Sequence, residues 1–157
     1  MAESTSVPAN NSAGKTPRRR AREFALQGVY EHLLSAHSAS MIENHLVQVS
    51  GFEKADKVFF GLLLRGTLDQ IEALEAQFVS LLDRPVAELS PIERAVLLLA
   101  TFELQNQPET PYRVIINEAI ELTKGYGGSD GHRFVNGVLD KLALRIREAE
   151  IRATKKA

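Results

Sequence analysis

The sequence predicts an all-α protein, and three observations support this. Apolar residues recur at spacings of three and four over most of the chain. A Ser or Thr precedes a proline at three points where such periodic segments begin, which is a signal for a helix start. These points are Thr16-Pro17, Ser90-Pro91 and Thr110-Pro111. Finally, no segment alternates apolar and polar residues over the length of a strand.

The first helix is predicted over residues 17–35, with Thr16 as its N-cap and Pro17 at its first position. Small residues at Ala21, Ala25 and Gly28 form a strip on which another helix can pack closely. A second, weaker helix is predicted over residues 41–49, because the break at 50–51 contains a glycine.

A long helix is predicted over residues 54–82, ended by Pro85. Gly61 and Gly66 lower the helix propensity of its first half, so we expect a bend or break near them. The next helix has a strong start signal, in which Ser90 and Glu93 form a capping box around Pro91. The residues behind it are apolar nearly all round, which is typical of a central, buried helix.

A further helix is predicted from Thr110-Pro111 to Lys124, where Gly125 and the glycines after it end the pattern. Ser129 or Asp130 is expected to cap the last helix. That helix directs six apolar residues inward: Phe134, Val135, Val138, Leu139, Leu142 and Ile146. The count is about seven helices, five of them with strong patterns.

Length and composition favour one domain of ordinary size, with 157 residues of which 44% are hydrophobic. Residues 1–15 lack periodicity and are predicted to be a disordered arm, 16–150 the helical domain, and 151–157 a basic C-terminal tail. The chain has no cysteine, which excludes disulfides and thiol catalysis. The start resembles neither a signal peptide nor a membrane anchor, so we expect a cytoplasmic protein.

Cations are concentrated at the predicted start of the first helix, at Lys15, Arg18, Arg19, Arg20 and Arg22. Because a helix N-terminus carries partial positive charge, each cation there costs roughly a few tenths of a kcal/mol. The same features favour an anion, since guanidinium groups, backbone N–H groups and the helix dipole all attract phosphate. The net charge is −1, so any nucleic-acid affinity has to come from this local patch. The alternative is a solubilising charge run.

The glycine-rich joint over residues 125–134 offers a second set of candidates. Tyr126 and Phe134 have rings that can stack on bases, and Arg133 can contact phosphate, as in single-stranded RNA recognition. The helical pattern favours a core position for Phe134 and leaves the role of Tyr126 open. Asp130 either accepts a hydrogen bond from a base edge or caps the last helix.

Catalytic and cofactor-binding motifs are absent from the sequence. There is no Gly-x-Ser-x-Gly, no phosphate-binding loop and no dinucleotide fingerprint. The four histidines lack the spacing of metal ligands, so no metal and no cofactor are expected. We therefore expect a binding protein and no enzyme.

The least apolar stripe of the helix after Ser90 contains Glu93, Leu97 and Thr101. If this stripe faces outward, Leu97 is an exposed apolar residue among polar ones, which suits a protein partner. The alternative is that the stripe is one more buried surface.

Several segments in order resemble the NusB family of bacterial transcription antitermination factors over roughly residues 17–145. They are Arg18-Arg19-Arg20-Ala21-Arg22-Glu23, Ile92-Glu93-Arg94-Ala95-Val96-Leu97, Pro111-Tyr112-Arg113-Val114, Ile116-Asn117-Glu118-Ala119-Ile120-Glu121-Leu122 and Phe134-Val135-Asn136-Gly137-Val138-Leu139-Asp140-Lys141. The resemblance implies two packed helical bundles without enzymatic activity. It also implies binding to the boxA element of nascent ribosomal RNA together with NusE, a small-subunit ribosomal protein. NusA, NusG and RNA polymerase would join the pair in a larger complex.

By position, the resemblance assigns RNA contacts to Arg18, Arg19, Arg20, Arg22, Tyr30, Tyr126, Asp130, Arg133 and Phe134. It places Glu93 on the NusE-facing side. The sequence departs from the family pattern at Tyr126, where Phe is common, and at Gly128 and Gly131, where residues with side chains are usual. Two alternatives stay open: a structural homodimerisation module, and the remnant of an RNA methyltransferase's RNA-binding domain.

Overall fold

The computed structural model describes residues 14–126 and 130–156, and in this part of the chain it contains eight α-helices and no strand. The predicted all-α class is confirmed. The predicted arm falls almost entirely outside the described residues. The helices are α1 (Pro17–Ser35), α2 (Ala39–Leu46), α3 (Lys57–Asp69), α4 (Ile71–Phe78), α5 (Pro91–Asn106), α6 (Tyr112–Tyr126), α7 (Gly131–Ile146) and α8 (Glu148–Lys156).

The predicted helix starts rest on local capping, and two of them are explained directly. The Thr16 hydroxyl accepts a hydrogen bond from the backbone N–H of Arg19, so α1 begins at Pro17 as expected. The capping box of Ser90 and Glu93 is present at the start of α5. Asp130 occupies the N-cap position of α7, although its side chain makes no capping hydrogen bond.

The long helix predicted over 54–82 is wrong as a single element, because the chain divides at Gln70 into α3 and α4. Gln70 has φ −129° and ψ 25°, outside the helical region. The break does not occur at Gly61 or Gly66, which both lie inside α3. Gly66 has a packing role instead: a Cβ there would lie 2.3 Å from the ring of Phe102, so α3 and α5 approach closely at this point.

The helices form two groups joined by α5. One group contains α1, α2 and α3, and the other contains α4, α6, α7 and α8. The α5 helix packs against α1, α3, α4, α6 and α7, which agrees with its prediction as a central helix. Residues 95–104 of α5 are all buried. Gln105 and Asn106 at its end are exposed, but Leu104 and the C-cap residue Gln107 are buried, so their backbone carbonyls need partners.

The partner of these carbonyls is Arg147, which the sequence patterns did not identify. Its side chain is 7% exposed. Its Nε donates to the carbonyl oxygen of Leu104 at 2.8 Å, and its Nη2 donates to that of Gln107 at 2.9 Å. Its Nη1 reaches the carbonyl of Thr110 at 3.0 Å, just before α6. Arg147 thus fixes the end of α5 and the entry to α6 together.

The predicted tail at 151–157 has a different structure over most of its length. Residues up to Lys156 form α8, and Ile151 is buried against the core. The Glu150 carboxylate also accepts a hydrogen bond from the backbone N–H of Tyr112 at 3.0 Å. The helical domain accordingly extends beyond residue 150. No helix in the described part of the chain has the length and apolar character needed to cross a membrane.

Candidate nucleic-acid interface

The cationic start of α1 lies beside the start of α3. The backbone N–H of Asp56, the N-cap of α3, donates to the carbonyl of Pro17 at 3.0 Å. Two helix N-termini with partial positive charge therefore lie together at one end of the molecule. The arginines of α1 project from this end in different directions, because successive helical residues are separated by about 100°.

Arg22 points inward and corrects one prediction. Its side chain is 7% exposed, and it donates to both carboxylate oxygens of Glu103 on α5, at 2.8 and 2.9 Å. The Glu103 side chain is 4% exposed. Such a buried two-point ion pair holds α1 against α5 and leaves the guanidinium without access to a phosphate. We therefore remove Arg22 from the predicted RNA contacts.

Arg19 forms a similar pair at the surface. Its Nε and Nη2 donate to the Glu118 carboxylate of α6 at 3.0 and 2.7 Å, and its side chain remains 41% exposed. The hydrogen bonds that Arg19 donates to Glu118 raise the pKa of Arg19, so the guanidinium is charged at any physiological pH. The Glu118 side chain lies between α6 and α1 and is 15% exposed.

Arg18 is exposed, and its guanidinium carbon lies 3.6 Å from the centroid of the Phe59 ring on α3. This cation–π contact orients the side chain across the two helix starts while leaving its donors accessible. Arg20 is half-exposed, and Lys15 forms a 2.8 Å ion pair with Glu23. The cationic cluster is thus split between an internal part and an outer part.

Tyr126, the last residue of α6, lies beside α1 at a point further from the start of α1 than Arg19. The Tyr126 hydroxyl is 3.5 Å from Nε2 of Gln27, a weak hydrogen bond at the end of α6. Burial raises the pKa of the Tyr126 phenol, although 41% of the residue is exposed. Arg19 with Glu118 and Gln27 with Tyr126 show that α1 and α6 run parallel. Arg19 and Gln27 are eight residues apart on α1, so these two contacts lie at levels about 12 Å apart along the helix, at a rise of about 1.5 Å per residue.

Tyr30 is half-exposed on α1, close in sequence to Gln27. At the start of α7, Asp130 and Arg133 are exposed, whereas residues 127–129 lie outside the described part of the chain. Phe134 is half-buried and packs against the core, as its helical pattern predicts. The guanidinium carbon of Arg84 lies 4.2 Å from the Phe134 ring centroid. A base that stacks on this face of Phe134 would have to displace Arg84.

The α5 stripe, which suits a protein partner if it faces outward, is buried at two of its three residues, so Leu97 and Thr101 are corrected as partner residues. Leu97 and Thr101 are fully buried, and the Thr101 hydroxyl donates to the carbonyl of Leu97. The cause is that α5 packs against helices on several sides. Glu93 is half-exposed, and a Cβ on Gly131 would lie 3.1 Å from its Oε2. The predicted partner residue therefore adjoins the start of α7 and the candidate RNA surface.

We define the outer surface as Arg18, Arg19 and Arg20, the aromatic rings of Tyr30 and Tyr126, and Asp130 with Arg133. Along α1 it places cations beside Arg19 and the Tyr126 ring beside Gln27, eight residues further on. Sequence patterns did not show that Phe59, Gln27 and Glu118 orient these residues. Their contacts join segments far apart in the chain, and no local pattern indicates them.

The matched family model is the NusB family, over residues 19–144. A protein of Aromatoleum aromaticum named transcription antitermination protein NusB is 63% identical over 141 residues, covering 90% of this chain and 97% of the relative. A protein of the same name from Azoarcus sp. is 58% identical, covering 91% of this chain and 93% of the relative. A solved structure of T. maritima NusB has a TM-score of 0.73 at 31% identity, covering 82% and 92% of the two chains.

Proposed function

Because the chain belongs to the NusB family, it acts in transcription antitermination, and we propose that it does so by binding the boxA element of nascent ribosomal RNA. The supporting observation is the layout of the outer surface. Arg18 and Arg19 lie at one level of α1, and Tyr126 lies about 12 Å further along it. Phosphates would meet the guanidinium groups while bases stack on the aromatic rings.

The starts of α1 and α3 favour the same ligand. Arg18 is held across both of them by the Phe59 ring, so its charge adds to the partial positive charge of two helix ends. A single-stranded segment with its phosphates at this end would bring bases toward Tyr126. Asp130 and Arg133 at the start of α7 would extend the contact beyond Tyr126, with Asp130 accepting from a base edge.

The protein partner in this proposal is NusE, bound on the side where Glu93 lies. Glu93 caps α5 and lies near Gly131, so the two binding surfaces adjoin at the start of α7. Adjoining sites provide a physical route for RNA and NusE to strengthen each other's binding, and such coupling is reciprocal. NusA, NusG and RNA polymerase would then join the assembly.

Binding to RNA is tested by titrating boxA-type single-stranded RNA with the full chain at several salt concentrations. Charge reversal of Arg18 and Arg20 to Glu should weaken binding and flatten the salt dependence, because each lost phosphate contact lowers the log–log slope by about 0.7. Lys141→Glu with Arg145→Glu makes the same change of charge on α7 and serves as the control. Equal affinity in the two double variants would contradict the proposal.

Binding to NusE is tested with the Glu93→Gln variant. Glutamine can still accept the capping hydrogen bond, so α5 keeps its start while the charge at the proposed partner side is lost. We expect weaker NusE binding and nearly unchanged affinity for RNA alone. Loss of RNA affinity with intact NusE binding would show that Glu93 belongs to the RNA surface instead.

A further inference from the structure

A second cluster of functional groups lies at the end of α1, and none of its members belongs to the outer surface. Glu31 of α1, His37 of the α1–α2 loop and His45 of α2 each bring one potential metal ligand within 4.8 Å of the others. The Nδ1 atoms of His37 and His45 are 2.8 and 2.9 Å from the same oxygen, Oε2 of Glu31. No sequence spacing indicates this, because Glu31 and His45 are 14 residues apart.

The loop that carries His37 has a well-defined conformation. Ala36 adopts the left-handed region with φ 63°, which is uncommon for a residue with a side chain. The Ser35 hydroxyl accepts from the backbone N–H of His37 at 3.1 Å, and Nδ1 of His32 is 2.8 Å from the carbonyl of His37. These bonds fix the backbone of His37 beside the last turn of α1.

The α2 helix is equally fixed, and it carries His45. Ile42 and Leu46 are buried on either side of that residue in the sequence. They pack where α1 has Gly28: a Cβ there would lie 3.0 Å from Ile42 and 3.4 Å from Leu46. This close approach of α2 and α1 brings the His45 ring over Glu31. All three groups therefore converge because of where the backbone places them.

We propose that Glu31, His37 and His45 bind a divalent transition-metal ion, with Zn²⁺ as the representative. Two imidazoles and one carboxylate form a common zinc donor set that leaves a fourth position for water. Ligand atoms held about 2.0–2.2 Å from one tetrahedral zinc ion lie roughly 3.3–3.5 Å apart. The two Nδ1–Oε2 separations, 2.8 and 2.9 Å, would therefore lengthen by about half an ångström on binding, while the three ligand atoms already lie within 4.8 Å of one another. Nitrogen ligands favour Zn²⁺ and its neighbours over Mg²⁺ or Ca²⁺.

The exposure of the cluster is suited to exchange of an ion with solvent. The side chains of His37, His45 and Glu31 are 41%, 51% and 25% exposed. On binding, the ion takes the place of the hydrogens between the two Nδ1 atoms and the carboxylate. Each neutral imidazole then carries its single N–H on Nε2, and an imidazolium releases its second proton to solvent. The bound ion would link α1, the loop and α2, and so stabilise the folded chain.

The test is a calorimetric titration of chelator-treated full-length protein with ZnCl₂, supported by the visible spectrum of the Co²⁺ form. We expect one ion per chain and a rise in Tm. Substitution of residues that only hydrogen-bond to metal ligands lowers metal affinity by about 10- to 100-fold. Loss of a ligand itself, in His37→Gln or in His45→Gln, should therefore lower Zn²⁺ affinity at least about tenfold. The His132→Gln variant, on α7, is the matched control and should retain wild-type affinity.

Three results would overturn the proposal. The first is wild-type Zn²⁺ affinity in both cluster variants, which would place the ion elsewhere. The second is equal loss of binding in His132→Gln. The third is no binding at millimolar Zn²⁺, which would leave the three groups as a hydrogen-bonded cluster only. Because the Tm of each metal-free variant is measured alongside, a folding defect is separated from the loss of a ligand.

Discussion

Two ion pairs on α1, one turn apart, have the same chemistry and different surroundings. Arg22 donates Nε and Nη2 to Glu103 at 2.8 and 2.9 Å, and Arg19 donates the same two atoms to Glu118 at 3.0 and 2.7 Å. The inner pair is 7% and 4% exposed, and the outer pair 41% and 15%. The hydrogen-bond lengths of the two pairs are nearly the same, so the pairs differ mainly in their exposure to solvent.

This difference assigns the two arginines different roles. A buried pair is costly to break, because the remaining charge has no water to solvate it. A surface pair gives little net free energy and can exchange its carboxylate for another anion. Arg22 is therefore structural, whereas Arg19 can contact a ligand. Arg19 and Arg22 are paired with carboxylates of the same chain, Glu118 and Glu103. The electrostatic argument for an external anion therefore rests chiefly on Arg18, which is exposed and oriented by the Phe59 ring.

The largest expected effect comes from breaking the inner pair. Arg22→Met leaves the Glu103 carboxylate buried without its partner, so we expect the free energy of unfolding to fall by about 3–5 kcal/mol. Chemical denaturation at neutral pH measures this. The double variant Arg22→Met with Glu103→Leu removes both charges and should recover most of the loss. If the double variant is as unstable as the single one, packing and not charge explains the effect.

A second substitution distinguishes whether the loss of stability in Arg22→Met comes from the unpaired buried carboxylate or from removal of a buried arginine. Arg147 is as buried as Arg22, but most of its partners are neutral carbonyls of Leu104, Gln107 and Thr110. Arg147→Met leaves these acceptors unpaired without leaving a deeply buried charge. We expect a loss of about 2–4 kcal/mol, smaller than for Arg22→Met, in the same denaturation experiment. A larger loss than for Arg22→Met would reverse the comparison.

The contrast also shows what the sequence could predict. Helix starts at Thr16 and Ser90 depend on residues within one turn, so local patterns identified them. The inward direction of Arg22 depends on Glu103, 81 residues away, and was not predictable locally. The same holds for Arg147 and the end of α5. The sequence leaves open whether the stripe with Leu97 faces outward or inward, whereas the apolar character of the whole α5 helix predicts the burial that is observed.

A third prediction concerns the aromatic level of the outer surface. Tyr126→Ala should weaken binding of boxA-type RNA by about 1–3 kcal/mol, because a base loses its stacking partner. Tyr126→Phe keeps the ring and removes only a 3.5 Å hydrogen bond to Gln27, so its affinity should stay near wild type. Equal weakening in both variants would assign the effect to the hydroxyl. Unchanged affinity in both would remove Tyr126 from the surface.

The smallest effect on folding is expected at the outer pair, where it is most informative about binding. Glu118→Gln should change the free energy of unfolding by no more than about 1 kcal/mol, because Arg19 is 41% exposed and glutamine can still accept a hydrogen bond from it, although the Glu118 side chain itself is 15% exposed. It should raise RNA affinity, since Glu118 competes with phosphate for Arg19 and its charge repels the ligand. The control Glu72→Gln makes the same charge change at an exposed residue of α4 and should raise RNA affinity less. If Glu118→Gln instead destabilises the fold as strongly as Arg22→Met, Arg19 is structural too, and the RNA contacts of α1 reduce to Arg18 and Arg20.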